Sequence, residues 1–207
     1  MKLTLVQTLL EHAGTSVSAI SGVLAAKGKR IDLFGVLVLA LVTAFGGGTT
    51  RDLLVGDAPV AWLRGPQLLL NATITALLTF AVARAMPLPR RALIVADAGA
   101  LAIFAILGTT KGLAFHFSAP VAILLGVVTG IAGGIVRDVL TGEVPLVFRP
   151  EIRLYATAAF VGSTIFVVLT SMLGTSTAML LGAGTVFALR LAAMRWKLSL
   201  PIFDTRE

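Results

Sequence analysis

"TAFGGGTTRDLLVGDAP", Thr43 to Pro59, returns 86 residues later as "TGIAGGIVRDVLTGEVP", Thr129 to Pro145. Eight of the 17 aligned positions are identical, among them Gly47/Gly133, Arg51/Arg137, Asp52/Asp138, Gly56/Gly142 and Pro59/Pro145. The same shift lays "AISG" at Ala19 on "AILG" at Ala105, and Glu11 on Asp97. Each glycine costs about 1 kcal/mol relative to alanine inside a helix. An arginine at the centre of a membrane helix costs about 2.5–3.5 kcal/mol or more. Both costs are met twice, at one spacing, which favours a functional segment over the alternative, glycines that only permit tight helix packing.

The surroundings are apolar. Of 207 residues, 57% are hydrophobic and 13% charged, where a soluble domain carries about 25% charged residues. A run of about 20 apolar residues crosses a bilayer as a helix. Seven such runs can be placed, at about residues 3–26, 31–56, 66–86, 91–112, 118–142, 154–174 and 177–196. Turn and charge signals separate them: "KGKR", "GDAP", "MPLPRR" and "GEVP". The split at "LGTSTA", between helices 6 and 7, is the weakest signal. The apolar runs do not alternate with period two, which argues against strands. The expected fold is an all-α integral membrane protein of seven transmembrane helices. It is read as one membrane domain over residues 1–207, with repeat A at about 1–86, repeat B at about 87–174 and helix 7 at about 177–196.

Lysine and arginine in short loops set the orientation. Lys27, Lys29, Arg30, Arg84, Arg90, Arg91, Arg149, Arg153, Arg190, Arg195, Lys197 and Arg206 fall on one side, and only Lys2 and Arg64 on the other. The N-terminus is expected outside and the C-terminus in the cytoplasm, in a plasma or inner membrane. The formal charge of +7 is then mainly a topology signal, with weak attraction to anionic cytoplasmic lipids. It does not point to nucleic acid. Three helices per repeat is an odd number, so the second copy enters the membrane from the opposite side. This is an inverted repeat, a design that places its polar pathway where the two units meet.

Helix 2, from Ile31 to Gly56, would measure about 39 Å at 1.5 Å per residue. That exceeds the roughly 30 Å hydrocarbon core, so kinks are expected in helices 2 and 5. Gly46, Gly47, Gly48, Gly133 and Gly134 are the candidate kink and pore residues. Unwound backbone there would expose carbonyls, which the membrane tolerates only where they are buried in protein or line water. The intramembrane charges Arg51, Asp52, Arg137, Asp138, Glu11, Asp97 and Lys111 are candidates to line or gate a polar pathway, or to fix helix register. Adjacent residues diverge by about 100° on a helix, so Arg51 and Asp52 are not expected to pair with each other. Carboxylates on another helix are the expected partners. Lys111 ends helix 4, where it can snorkel to the outer interface. His12 and His116 read as surface or capping residues. With no cysteine, no P-loop and no nucleophile–base pair, neither an enzyme nor a cofactor nor a metal centre is expected.

The chain resembles the prokaryotic members of the trimeric intracellular cation channel family. The resemblance is carried by "GTSVSAISGVLAAKGKRIDLFGVLVLALVTAFGGGTTRDLLVG", "PVAWLR", "GVVTGIAGGIVRDVLTGEVPLVFRPEIRLYATA" and the tail "LRLAAMRWKLSLP". Two departures are Glu11, where aspartate is expected, and Ala132 in place of a third glycine. The resemblance implies a homotrimer with one pore per subunit, walled by kinked helices 2 and 5 with help from helices 1 and 4. It implies passive conduction of monovalent cations, potassium and possible sodium included. A secondary transporter of a small solute such as glycine is the main rival, because inverted repeats and broken helices are equally its hallmarks. A structural scaffold is a third reading.

Overall fold

The computed structural model describes residues 4–89, 91–149 and 154–198. Lys2, Arg90, Arg153 and Arg206, which entered the orientation argument, lie outside the described residues. All seven expected helices are present: α1 (Leu5–Ala25), α2 (Leu33–Val55), α3 (Pro66–Ala85), α4 (Ala92–Ala114), α5 (Ala119–Leu140), α6 (Tyr155–Leu173) and α7 (Thr175–Trp196). Among the described residues there is no strand.

Local chemistry sets the boundaries. Thr4 starts α1 with a capping box, its hydroxyl accepting from Gln7 N while the Gln7 side chain accepts from Thr4 N. The Asp32 carboxylate accepts from Gly35 N at the start of α2. Pro66 takes the first turn of α3. Gly56 and Gly142, both at φ 70°, let the chain leave α2 and α5 in the left-handed conformation. Gly174, at φ 77°, makes the expected break between α6 and α7.

Six of the helices are long and apolar enough to cross a membrane, and α1 falls short of that measure. Its polar residues explain the difference. Thr15, Ser18 and Ser21 are buried inside the fold rather than turned to lipid. Helix α4 is the most enclosed span and α3 the least. Leu70, Ile74 and Leu78 form an exposed apolar stripe on α3, suited to lipid. The centre is built by α4 against α1 and α5, by α2 against α5, and by α6 paired with α7 along one flank.

Helices α2 and α5 run without a break through their glycines. The expected unwound, carbonyl-exposing segment is therefore corrected. Each helix keeps its backbone ladder, which is compatible with a bend but not with unwinding, and the glycines serve a further purpose.

Candidate functional site

That purpose is a helix crossing. A Cβ placed on Gly47 of α2 would land on the carbonyl oxygen of Thr129, and one on Gly133 of α5 would land on the carbonyl oxygen of Thr43. A Cβ on Gly46 would stand 3.3 Å from Gly133 Cα. Residues lacking a side chain let two helix backbones approach this closely. The contacts are reciprocal under the 86-residue shift, as are the threonine hydroxyls, which donate to Leu39 O and Leu125 O at 2.6 Å. Gly22 and Gly108 repeat the device, each facing the Thr43 or Thr129 hydroxyl of its own repeat. Gly48 is different, because only Arg51 Nη2, at 3.8 Å, comes near its missing Cβ.

One turn beyond the crossing stand the Arg–Asp pairs. Arg51 Nε donates to Asp52 Oδ1 at 2.8 Å, and Arg137 Nε donates to Asp138 Oδ1 at 2.8 Å. Neighbours do pair here, against the expectation from their 100° divergence. The long arginine side chain curls around the helix surface, which the short aspartate cannot do. The second aspartate oxygen holds the segment that follows the helix: Asp52 Oδ2 accepts from Ala61 N and Asp138 Oδ2 from Leu146 N, both at 2.8 Å. Each aspartate thus joins its arginine to the next turn of chain. Burial makes that matter, since a buried charge without partners costs several kcal/mol.

Beyond this shared frame the two halves differ. Arg137 also reaches α4 and α1. Its Nη1 donates to Asp97 Oδ1 at 2.8 Å and to the Ser21 hydroxyl. Asp97 was an expected partner, and the contact brings it into the site. Arg51 bonds to Asp52 only, among the described residues. Glu11, the repeat mate of Asp97, makes no hydrogen bond to it. Instead Lys111 enters from α4 and bridges Asp52 Oδ1 and Asp57 Oδ2, at 2.5 Å each. Lys111 is therefore an inward ion-pair partner, and of its two expected placements the snorkelling one is set aside. Arg64 donates to the other oxygen of Asp57. The Lys111 hydrogen bond, with Arg64 adding to it, holds the Asp57 carboxyl below its ordinary value of 3.8. At the opposite end Lys29 and Arg149 hold Glu143, and the Lys29 bond keeps that carboxyl below its ordinary 4.5.

The open space follows this asymmetry. A cavity of about 500 Å³ opens at the end where α1 starts and α2 and α4 finish, lined by Glu11, Arg51, Asp57, Arg64 and Lys111 among others. Trp62, stacked on Phe45 at 5.4 Å and bonded to the Thr49 hydroxyl, borders a smaller recess that shares Glu11 and Arg51 with this vestibule. At the α2–α5 crossing only about 10 Å³ remains, bordered by Ser18, Ser21, Thr43, Thr129, Asp97 and Arg137. That is room for about one water.

Two buried residues escaped the sequence reading. Arg190 of α7 was counted as a cytoplasmic loop charge, yet it is 0% exposed and its guanidinium lies 4.6 Å from the centre of the Tyr155 ring. The signal was available: Arg190 sits in "VFALRLAAM", six residues short of the end of its helix. Tyr155, the only tyrosine in the chain, opens α6 and is buried. His12 faces Asn71, with Nδ1 3.4 Å from its Nδ2, in a seam that joins α1 to α3. His116 follows α4 with φ 59°. Among the described residues no cluster of three or more His, Asp or Glu could hold a metal ion.

The sequence profile of the family described as "Glycine transporter" matches twice, over residues 8–84 and 94–171. The UPF0126 inner membrane protein YadS of Escherichia coli K12 is 43% identical over 201 residues, spanning 96% of both chains. A UPF0126 membrane protein of Vibrio cholerae is 44% identical over 200 residues, spanning 94% of this chain and 82% of that one. Among solved structures, the TRIC trimeric intracellular cation channel orthologue from Rhodobacter sphaeroides superposes with a TM-score of 0.88 at 36% identity, over 94% of this chain and 100% of that one. The chain belongs to the TRIC channel family. A prokaryotic TRIC channel crystallised in 0.5 M KCl agrees, with a TM-score of 0.87 at 28% identity over 96% of this chain and 100% of that chain. This TRIC family member is a multi-pass membrane protein, and its structural neighbours are channels, not enzymes.

Proposed function

We propose that this chain is a potassium-permeable monovalent cation channel, assembled as a homotrimer with one pore per subunit between α2 and α5. The observation that carries the reading is the succession from the 500 Å³ vestibule, through the recess beside Trp62, to the 10 Å³ polar constriction at the glycine crossing, the recess sharing Glu11 and Arg51 with the first and Ala44 and Phe104 with the second. The structural neighbours described as cation channels support it. So does the twofold character of the crossing, which is what an inverted repeat of A and B produces. In the state seen here the crossing is shut, and opening parts α2 from α5 by bending them at the glycines.

The charge balance admits a cation. Two arginines beside a path repel cations unless carboxylates neutralise them. Around the vestibule Arg51, Arg64 and Lys111 are matched by Asp52, Asp57 and Glu11, and Arg137 touches both Asp97 and Asp138. The N-terminus lies outside and the C-terminus in the cytoplasm. The vestibule then faces outward, and Arg51, Asp52, Lys111 and Glu11 guard its floor.

The second reading is secondary transport of a small zwitterion such as glycine. It is favoured by the family description and by a vestibule that offers both charge signs. Recording purified protein in planar bilayers under asymmetric KCl separates the two. A channel gives unitary currents reversing at the potassium potential. An absence of unitary currents together with saturable glycine uptake into liposomes makes the protein a transporter. A cross-linking ladder in mild detergent that stops at dimer removes the trimer.

A further inference from the structure

The repeat predicts two equivalent half-sites, and the structure shows one open and one closed. The explanation lies outside the repeat. In repeat B the hydroxyl of Tyr155 and the Asp97 carboxylate turn to the same spot beside Gly134 of α5. That hydroxyl and Asp97 Oδ1 each stand 3.2 Å from where a Cβ of Gly134 would be, so the glycine admits both. Asp97 in turn holds Arg137, and Arg137 holds Ser21 of α1 across the crossing. On its other side the Tyr155 ring carries the buried guanidinium of Arg190. A cation over an aromatic face is attracted by the ring quadrupole, most strongly away from water.

Repeat A lacks this chain. The position equivalent to Tyr155, 86 residues earlier, is Leu69, which is 37% exposed and has no hydroxyl. Arg190 has no counterpart, because α7 lies outside the repeat. Glu11 and Arg51, the mates of Asp97 and Arg137, border an open vestibule instead of closing on each other.

We infer that Tyr155 of α6 and Arg190 of α7 are positioning residues that lock the Asp97–Arg137 pair across the pathway, so that the unrepeated helix α7 makes the repeat B half the gate. Asp97 and Arg137 border the constriction directly; Tyr155 and Arg190 act through them. The inference rests on the reading of this crossing as a permeation pathway. Members of a buried polar cluster are coupled through the low local dielectric, so loosening one end frees the other.

The chain has no cysteine, so a Ser18→Cys variant reports on the constriction without background. Ser18 borders that cavity and is 4% exposed. Tyr155→Phe removes the hydroxyl and keeps the ring under Arg190. Arg190→Lys keeps the charge and loses the flat stacked group. Each is combined with Ser18→Cys in liposomes and treated with a permanently charged methanethiosulfonate from either side. From the side of Arg149, labelling is expected to rise roughly five- to tenfold in both variants, as loss of one buried polar or stacked contact implies. From the vestibule side it is expected to stay constant. In bilayers the same variants without the cysteine should show a higher open probability at unchanged unitary conductance. Labelling and open probability equal to wild type, in protein that melts as wild type does, overturn the inference. Labelling that rises equally from both sides marks general loosening and overturns it as well. If wild type carries no cation current but Tyr155→Phe still speeds labelling from the Arg149 side, the channel reading fails and the lock stands.

Discussion

At the scale of single residues, the neighbouring glycines of "GGG" have unequal tasks. Gly47 meets backbone: its added Cβ would fall on the Thr129 carbonyl oxygen, an atom that cannot swing aside. Gly48 meets open space and the far end of Arg51. Alanine gains about 1 kcal/mol of helix preference at either position. At Gly48 that gain stands alone, and Gly48→Ala should leave the melting temperature in detergent unchanged or slightly raised. At Gly47 and Gly133 the methyl groups must push α2 and α5 apart, and overpacking of this kind costs about 1–3 kcal/mol per site. The double variant Gly47→Ala/Gly133→Ala is therefore expected to melt lower, and more so than either single. Equal melting of the Gly47 and Gly48 variants would show that the crossing is looser than the contacts imply. Whether these residues were glycines for a kink or for contact was not legible in the sequence. Both uses need the same residue at the same spacing, and only the partner backbone tells them apart.

At the scale of elements, the repeat builds two matching corners. After α2 and after α5 the chain turns at a left-handed glycine, and the next residue donates back to the aspartate carbonyl, Asp57 N to Asp52 O and Glu143 N to Asp138 O, at 2.9 Å each. A lysine from the other repeat then clamps the acid at each corner, Lys111 on Asp57 and Lys29 on Glu143. These clamps have a definite pH window. Both carboxyls are held below their ordinary values of 3.8 and 4.5, so the folded state binds fewer protons than the unfolded one. Their contribution is complete above the ordinary values and disappears as pH falls through the still lower folded ones. Lowering the bath from pH 7 to pH 5 should leave gating unchanged as far as these corners are concerned, while Asp57→Asn at pH 7 should mimic the released corner. Open-probability measurements at the two pH values test this. A change between pH 7 and pH 5 that disappears in Asp57→Asn/Glu143→Gln would refute it. The corners were half visible beforehand: "GDAP" and "GEVP" announced the turns, but lysines 54 and 114 residues away from their acids carry no local signal.

At the scale of the whole molecule, the helices were legible because lipid enforces long apolar runs, and the repeat was legible because copied residues keep copied contacts. The failures share one cause. Arg190 was assigned to the loop charge and Arg51 to a distant partner, and Lys111 was left open between the interface and the polar pathway. Each is a long side chain whose head lies far from its backbone position, so linear sequence misplaces it. This bears on orientation. Without Arg190, eleven lysines and arginines still fall on the proposed cytoplasmic side against two on the other, and the bias that sets topology survives. Seven crossings then place the two chain ends on opposite faces, and the short turn at Gly174 on the same side as the N-terminus. A reporter fused after Glu207 should be active in the cytoplasm, and one inserted at Gly174 should be active outside. The test also reaches α1, whose polar residues leave it short of the apolar measure for a span. If α1 lies along the surface instead of crossing, the N-terminus reports on the cytoplasmic side while the other two sites keep their assignments. Reporters at Gly174 and Glu207 on one side would remove α7 as a span, and with it the lock attributed to Arg190.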